Sequence, residues 1–214
     1  MSSYYFPITE LEDGLVYTYR SVNMKELDDE VWFYKSIITP QDTFLAGQAY
    51  SADGRVEQLV VERKVDLGII QDSLILYHTG PDSLDIPVKC TVGPGSVFPF
   101  YQNAEDTLQY KVTWTDPTDT LSYILEKRKA FSHDTTFLFE GKDLPAVSFW
   151  TYEAVETFRK DLGMTESAWV GEEIYAQGVG LVYYRKEISP DFLKAYQLSH
   201  RSDMSSFLNS TTKF

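Results

Sequence analysis

The chain has 214 residues, of which 43% are hydrophobic and 15% aromatic, and it carries a net charge of −13 at neutral pH. That acidity repels phosphate backbones and anionic membrane surfaces, which argues against nucleic acid as a partner, and no apolar run approaches the ~18 residues of a membrane span. A single cysteine, Cys90, excludes an intrachain disulfide, so the fold must be held by its 15 Tyr, 13 Phe and 4 Trp, each ring able to bury roughly 150–250 Å².

The chain opens with Met1-Ser2-Ser3 running directly into Tyr4-Tyr5-Phe6-Pro7, with no charged-then-apolar leader. This reads as an expression start in place of a removed leader, or as the natural start of a cytoplasmic protein. Period-2 alternation follows. Leu15, Tyr17 and Tyr19 alternate with Thr18 and Arg20; Leu108, Tyr110, Val112 and Trp114 alternate with Thr107, Gln109, Lys111 and Thr113; Thr135, Phe137 and Phe139 repeat the pattern. Strands with one dry and one wet face are the reading, in antiparallel order. They are predicted near 14–22, 30–37, 43–51, 55–64, 67–78, 86–92, 107–115, 120–131, 135–140, 145–158, 168–177 and 179–188.

Turns separate them at Ser51-Ala52-Asp53-Gly54, Gly80-Pro81-Asp82, Gly93-Pro94-Gly95, Asp116-Pro117-Thr118 and Glu140-Gly141-Lys142-Asp143. Cys90 alternates with Ile86, Val88 and Val92 and is expected to point inward as a small apolar group. Trp150, Ala154, Phe158 and Leu162 recur every four residues, which also fits a helix, but the β-branched and aromatic run Val147–Tyr152 favours a strand. Ser189-Pro190 resembles a helix cap followed by proline at the first helical position, so a short helix carrying Phe192, Leu193 and Tyr196 is predicted next. The fold class that results is all-β, mainly antiparallel, with a strongly curved sheet forming a barrel or half-barrel and a short C-terminal helix. One β domain is predicted over 1–198, with a polar, loosely ordered tail over 199–214.

Chemistry is harder to find. His78, His133 and His200 have no ligand partner at helix or hairpin spacing, so no metal and no cofactor is expected. Gly93-Pro94-Gly95-Ser96-Val97 lacks the glycine that a nucleophile elbow needs after its serine, and no phosphate-cradling loop is present. Glu172 with Glu173, and Glu153 with Glu156, are the carboxylate pairs that a hydrolase could use. Neighbours in a strand face opposite ways, however, so one of Glu172 and Glu173 at most can face a cavity.

The most specified motif is Tyr175-Ala176-Gln177-Gly178-Val179-Gly180-Leu181-Val182, where two glycines interrupt strong strand sequence. They are expected to let a long strand coil sharply, with Tyr175, Val179, Leu181 and Tyr183 on one face. Together with Tyr5-Phe6-Pro7 and the strand from Gly14, this motif resembles a group of uncharacterised exported proteins and lipoproteins of Bacteroidota-type bacteria, which open on Tyr-Phe-Pro and close on Tyr-Ala-x-Gly-x-Gly-Leu-Val. That group carries a Trp before its first-strand Tyr where this chain has Leu15-Val16. The resemblance implies a barrel-like fold of lipocalin or lipoprotein-carrier shape, a signal peptide and often a lipid anchor. It implies no activity.

The function expected from these features is that of a non-enzymatic exported protein, periplasmic or outer-membrane-anchored. Membrane contact would come only through a lipid anchor absent from this chain. The partner would be an apolar small molecule or lipid in the barrel, lined by Tyr17, Tyr19, Tyr110, Trp114, Tyr175 and Tyr183. The alternatives are a protein partner, docked through the run Val31-Trp32-Phe33-Tyr34 of an assembly module without a cavity, and a carboxylate-based hydrolase.

Overall fold

Alternating side chains dictate sheet, and the computed structural model contains one sheet of 14 strands. It describes residues 1–211 except 25, 81–83, 102–105 and 160–162. The turn predicted at Gly80-Pro81-Asp82 and the position of Leu162 therefore fall partly or wholly outside the described residues. The first strands run as a meander: β1 (Leu15–Ser21), β2 (Glu30–Ile38), β3 (Thr43–Tyr50), β4 (Val56–Val65) and β5 (Gly68–Thr79). Three short strands follow, β6 (Asp85–Lys89), β7 (Thr91–Val92) and β8 (Ser96–Pro99). A second meander comprises β9 (Thr107–Thr115), β10 (Ser122–Phe139), β11 (Lys142–Arg159), β12 (Gly163–Ala176), β13 (Gly180–Ser189) and β14 (Phe192–Ser202), and helix α1 (Met204–Thr211) ends the chain.

Every pairing is antiparallel, and β14 lies against β1, so the two meanders join into one continuous wall. At the other side, β6 pairs with β5 while β7 pairs with β9. Between them the Cys90 amide donates to the Leu74 carbonyl at 2.9 Å and the Gly93 amide to the Lys111 carbonyl at 2.8 Å. Residues 85–92 thus lace the two free edges together and nearly close the barrel, leaving little unpaired edge. His78 Nδ1 lies 3.1 Å from Asp116 Oδ2 across the same seam.

Three sequence expectations change, and one segment open to two readings takes the favoured strand form. The segments read as separate strands at 120–131 and 135–140 are one strand, β10, because a bulge between Phe131 and His133 absorbs the break in alternation. The period of four at Trp150, Ala154 and Phe158 belongs to β11: a spacing of four keeps residues on one face of a strand as well as of a helix. The helix predicted after Ser189-Pro190 is strand β14 instead, since its backbone is claimed on both sides, by β13 and by β1. The short C-terminal helix exists, but further on, where Asp203 Oδ1 caps it by accepting from the Ser206 amide at 2.8 Å. Residues 199–202 accordingly finish the last strand and do not begin a tail.

The glycine pair does not bend a continuing strand. Gly178 and Gly180, with φ of +74° and +97°, form the tight turn between β12 and β13. This turn supports the N-terminal segment, whose Ser3 carbonyl accepts from the Gly178 amide at 2.9 Å. Phe6 lies so close to Gly180 that a Cβ there would stand 2.7 Å from the Phe6 ring. Tyr5, Phe6 and Leu11 are buried in the main core with Tyr17, Tyr19, Phe98 and Phe149. The Tyr-Phe-Pro block is therefore a plug that closes one end of the barrel. Replacing Gly180 by Ala incurs both the positive-φ strain and the clash with Phe6, whereas Gly178→Ala meets open space and incurs only the first. Gly180→Ala is expected to cost about 2–3 kcal/mol, and Gly178→Ala roughly 1 kcal/mol; chemical denaturation of the two variants checks the difference.

Candidate functional site

The barrel interior is not filled by its own rings. A cavity of about 490 Å³ remains, walled by residues of both meanders and floored by Phe6, within the size range of small-molecule sites. Gly47 shapes one wall: a Cβ there would sit 2.7 Å from the Tyr34 ring, so the bare backbone lets Tyr34 lie flat against β3. Trp32 stacks on Tyr34 with ring planes 5° apart and also faces the cavity. Within the run Val31–Tyr34 the alternate residue, Phe33, covers Gly14 on the other side of β2. The two faces of that run thus both make contacts within the chain.

Tyr19, Tyr110 and Tyr175 line the cavity. The other three rings expected there lie elsewhere. Tyr17 sits beneath the floor, packed on Phe6 at 5.7 Å between centroids, and its hydroxyl donates to the Val179 carbonyl at 2.9 Å. Trp114 stacks on Tyr123 at 5.2 Å, away from the cavity wall. Tyr183 pairs with Ile174 and gives its place to Tyr184. The glycine turn and a register shift between Ile174 and Tyr175 reset the phase of alternation, so counting straight through them selects the wrong tyrosine.

Sequence reasoning missed the inward-facing lysines. Lys127 and Lys129 are two residues apart on β10 and project into the barrel. Lys127 Nζ stands 2.6 Å from Glu173 and 3.3 Å from Glu153. Lys129 Nζ stands 2.5 Å from Glu173 and donates to the Tyr175 hydroxyl at 2.9 Å, and that hydroxyl donates in turn to Glu173 at 2.8 Å. Lys186 completes the group by pairing with Glu153. Glu172, one residue from Glu173, takes the other face of β12 and accepts from Ser148 at 2.7 Å and Arg185 at 3.2 Å.

Burial alone would raise the Glu173 pKa, but Lys127 and Lys129 outweigh it and hold the carboxyl below the usual range. Glu153 is likewise held down against burial by Lys127 and Lys186. Lys129 responds the other way: burial, seconded by the charge of Lys127, lowers its pKa despite the pull of Glu173. Burial and the Glu173 charge together push the Tyr175 phenol up. Glu153 and Glu173 are therefore both committed to lysines and both ionised at neutral pH. Neither holds the proton that a general acid must deliver.

Glu62, on β4, differs from them. It lines the cavity, and burial pushes its pKa up against the hydrogen bond from Tyr5 and the charges of Lys129 and Lys127. Cys90 is buried outside the cavity beside Leu74 and Val112, and burial pushes its thiol up to about 11, as suits an inward-facing apolar group. Among the described residues no group of three or more His, Cys, Asp or Glu is placed to hold a metal ion.

No protein-family model matches the sequence, and no curated protein matches it significantly. Similar solved structures exist. A "putative lipoprotein" from Parabacteroides distasonis superposes with a TM-score of 0.52 at 14% identity, over 92% of this chain and 97% of its own. A "putative exported protein with YmcC-like fold" from Bacteroides fragilis superposes with a TM-score of 0.53 at 11% identity, over 88% and 94%. At such identities the likeness shows a shared fold. One of these neighbours is named a lipoprotein and the other an exported protein.

Proposed function

We propose that this chain is an exported, non-enzymatic binding barrel that holds a small molecule in the cavity between its two meanders. The observation that carries the reading is the hollow itself. A 214-residue chain with 15% aromatic side chains has ample material to fill a barrel, yet about 490 Å³ stays open above the plug, walled by rings and by a fixed set of charges. The ion cluster narrows the occupant from a purely apolar lipid to an amphipathic molecule, since an apolar chain beside Lys127 and Glu173 would strip water from charges without replacing it. Export and a periplasmic or surface location are supported by the terminal motifs and by the two structural neighbours, a lipoprotein and an exported protein by name. With the N-terminal segment forming the plug, a chain tethered from that end would turn its open end away from the membrane.

The test uses an uncharged fluorescent probe, N-phenyl-1-naphthylamine, titrated into the wild type and into Ala49→Trp. Ala49 is 7% exposed and lines the cavity, so a tryptophan there fills space that already exists. The wild type should bind one probe per chain saturably, and Ala49→Trp should melt no lower while losing the probe. Non-saturable binding, or binding unchanged in Ala49→Trp, would contradict the proposal.

A further inference from the structure

Strand β12 outruns its neighbour on one side. Against β11 it pairs along its whole length, from Gly163 to Ala176, but against β13 only from Val170 onward. Among the described residues no strand is registered with residues 163–169 on that second side. A cleft lined by Ala168, Val170, Ser189, Pro190 and Leu193 separates this stretch from the β13–β14 turn, and residues 164–168 are exposed. Half of their backbone N–H and C=O groups therefore face outward along an open edge, in a sheet whose β5 and β9 edges are laced together. An open edge is a template for one more strand.

The side chains along this edge indicate which strand. Glu153 lines the cavity, so by alternation Glu156 and Phe158 take the outer face of β11, where they stand opposite Glu166 and Met164 of β12. Phe158 and Met164 are exposed. Two carboxylates directly opposite each other repel. Of the cations sharing that face, Lys111 and Arg128 are engaged by Glu126, and Arg185 by Glu172 and Glu187, while Arg159 alternates to the other face. The charge of Glu156 does reach Lys111, whose amine stays 2.7 Å from Glu126. Glu156 and Glu166 are thus the surplus negative charge of this face. A second copy of the chain paired antiparallel over residues 163–169 would set Glu166 against Glu166, and a charge of −13 on each copy opposes self-association further. A strand that places a basic side chain there, with apolar ones two positions away facing Met164 and Ala168, gains instead of losing.

We propose that the free edge of β12 takes up an extended basic segment of a partner protein as an added strand, with a Lys or Arg opposite Glu166 and apolar residues two positions to either side. Trp169, at the base of the edge, pairs with Glu153 and lies 5.5 Å beneath Lys186, both residues of the cavity wall, so the docked strand adjoins the cavity. Docking there is independent of what the cavity holds. The probe is the blocked heptapeptide Thr-Val-Thr-Lys-Thr-Val-Thr, which reads alike in both directions, titrated into isotope-labelled protein while the amide resonances are followed by NMR. Shifts should saturate and centre on residues 163–169, and the same peptide with Glu in place of Lys should bind at least about fivefold more weakly. Glu166→Lys, a change at an exposed position, should remove that preference. N-methylation of the even-numbered peptide amides, or of the odd-numbered ones, blocks one edge of the peptide at a time, so one methylated peptide should bind as before and the other should not. No saturable shifts at millimolar peptide, shifts centred elsewhere, a preference for Lys that is absent from the wild type or survives Glu166→Lys, or the same response to both methylated peptides would each overturn the inference. None of these results bears on N-phenyl-1-naphthylamine binding, which tests the cavity alone.

Discussion

Glu173→Gln should be the most damaging single change inside the barrel, lowering stability by about 3–5 kcal/mol, the usual consequence of removing one partner from a buried ion pair. Glutamine keeps the shape but leaves Lys127 with Glu153 alone and Lys129 with no carboxylate partner. The double variant Glu173→Gln, Lys129→Met should recover part of the loss, because it also removes the cation left unpaired. The pH dependence has a definite sign. Glu173 has a folded-state pKa below its unfolded value of ~4.3, so its contribution is fully present above the unfolded value and is lost as pH falls through the folded one. Denaturant titrations should therefore show a constant gap between wild type and Glu173→Gln from neutral pH down to mild acid, closing only in strong acid.

Phe98→Ala should cost a similar amount, about 3–5 kcal/mol, and lower the melting temperature by roughly 10 °C for a chain of this size. Phe98 is fully buried, and its ring meets Tyr175 at 4.9 Å, Phe149 at 5.4 Å and Tyr5 at 5.5 Å. It thus joins the plug, β11 and β12 through one side chain. Its strand, β8, pairs with β5 over only a few residues, so the truncated site has little means of closing over the void. Phe98→Leu, which keeps most of the volume, should lose less than half as much. Thermal unfolding of both variants separates the aromatic contribution from that of simple filling.

Long alternating strands were legible because burial on one face writes itself into every second residue, as at Leu108, Tyr110, Val112 and Trp114. The barrel-like curvature and antiparallel order followed from that pattern and the turn residues. Strand β8 was not legible: Ser96–Pro99 is four residues between glycines and a proline, too short to show a period. Strand β14 was disguised by Ser189-Pro190, whose local helix-start chemistry yields to pairing on two sides. The cavity charges were hidden for a different reason. Glu126-Lys127-Arg128-Lys129 is four charged residues in a row, so polarity cannot say which two turn inward. What turns Lys127 and Lys129 inward is the pair of glutamates on β11 and β12, distant in sequence and invisible to any local reading. Glu62 sits likewise in Val60-Val61-Glu62-Arg63, where nothing marks it as the acid facing the cavity.

Central to this account is that the interior above the plug is a receptacle for a small molecule rather than a gap in a self-filled core. Native mass spectrometry of detergent-free protein, followed by denaturation and identification of what is released, examines this directly. The expected result is a stoichiometric small molecule on the wild type and absent from Ala49→Trp. Wild-type protein of bare chain mass that also takes up no N-phenyl-1-naphthylamine would contradict it.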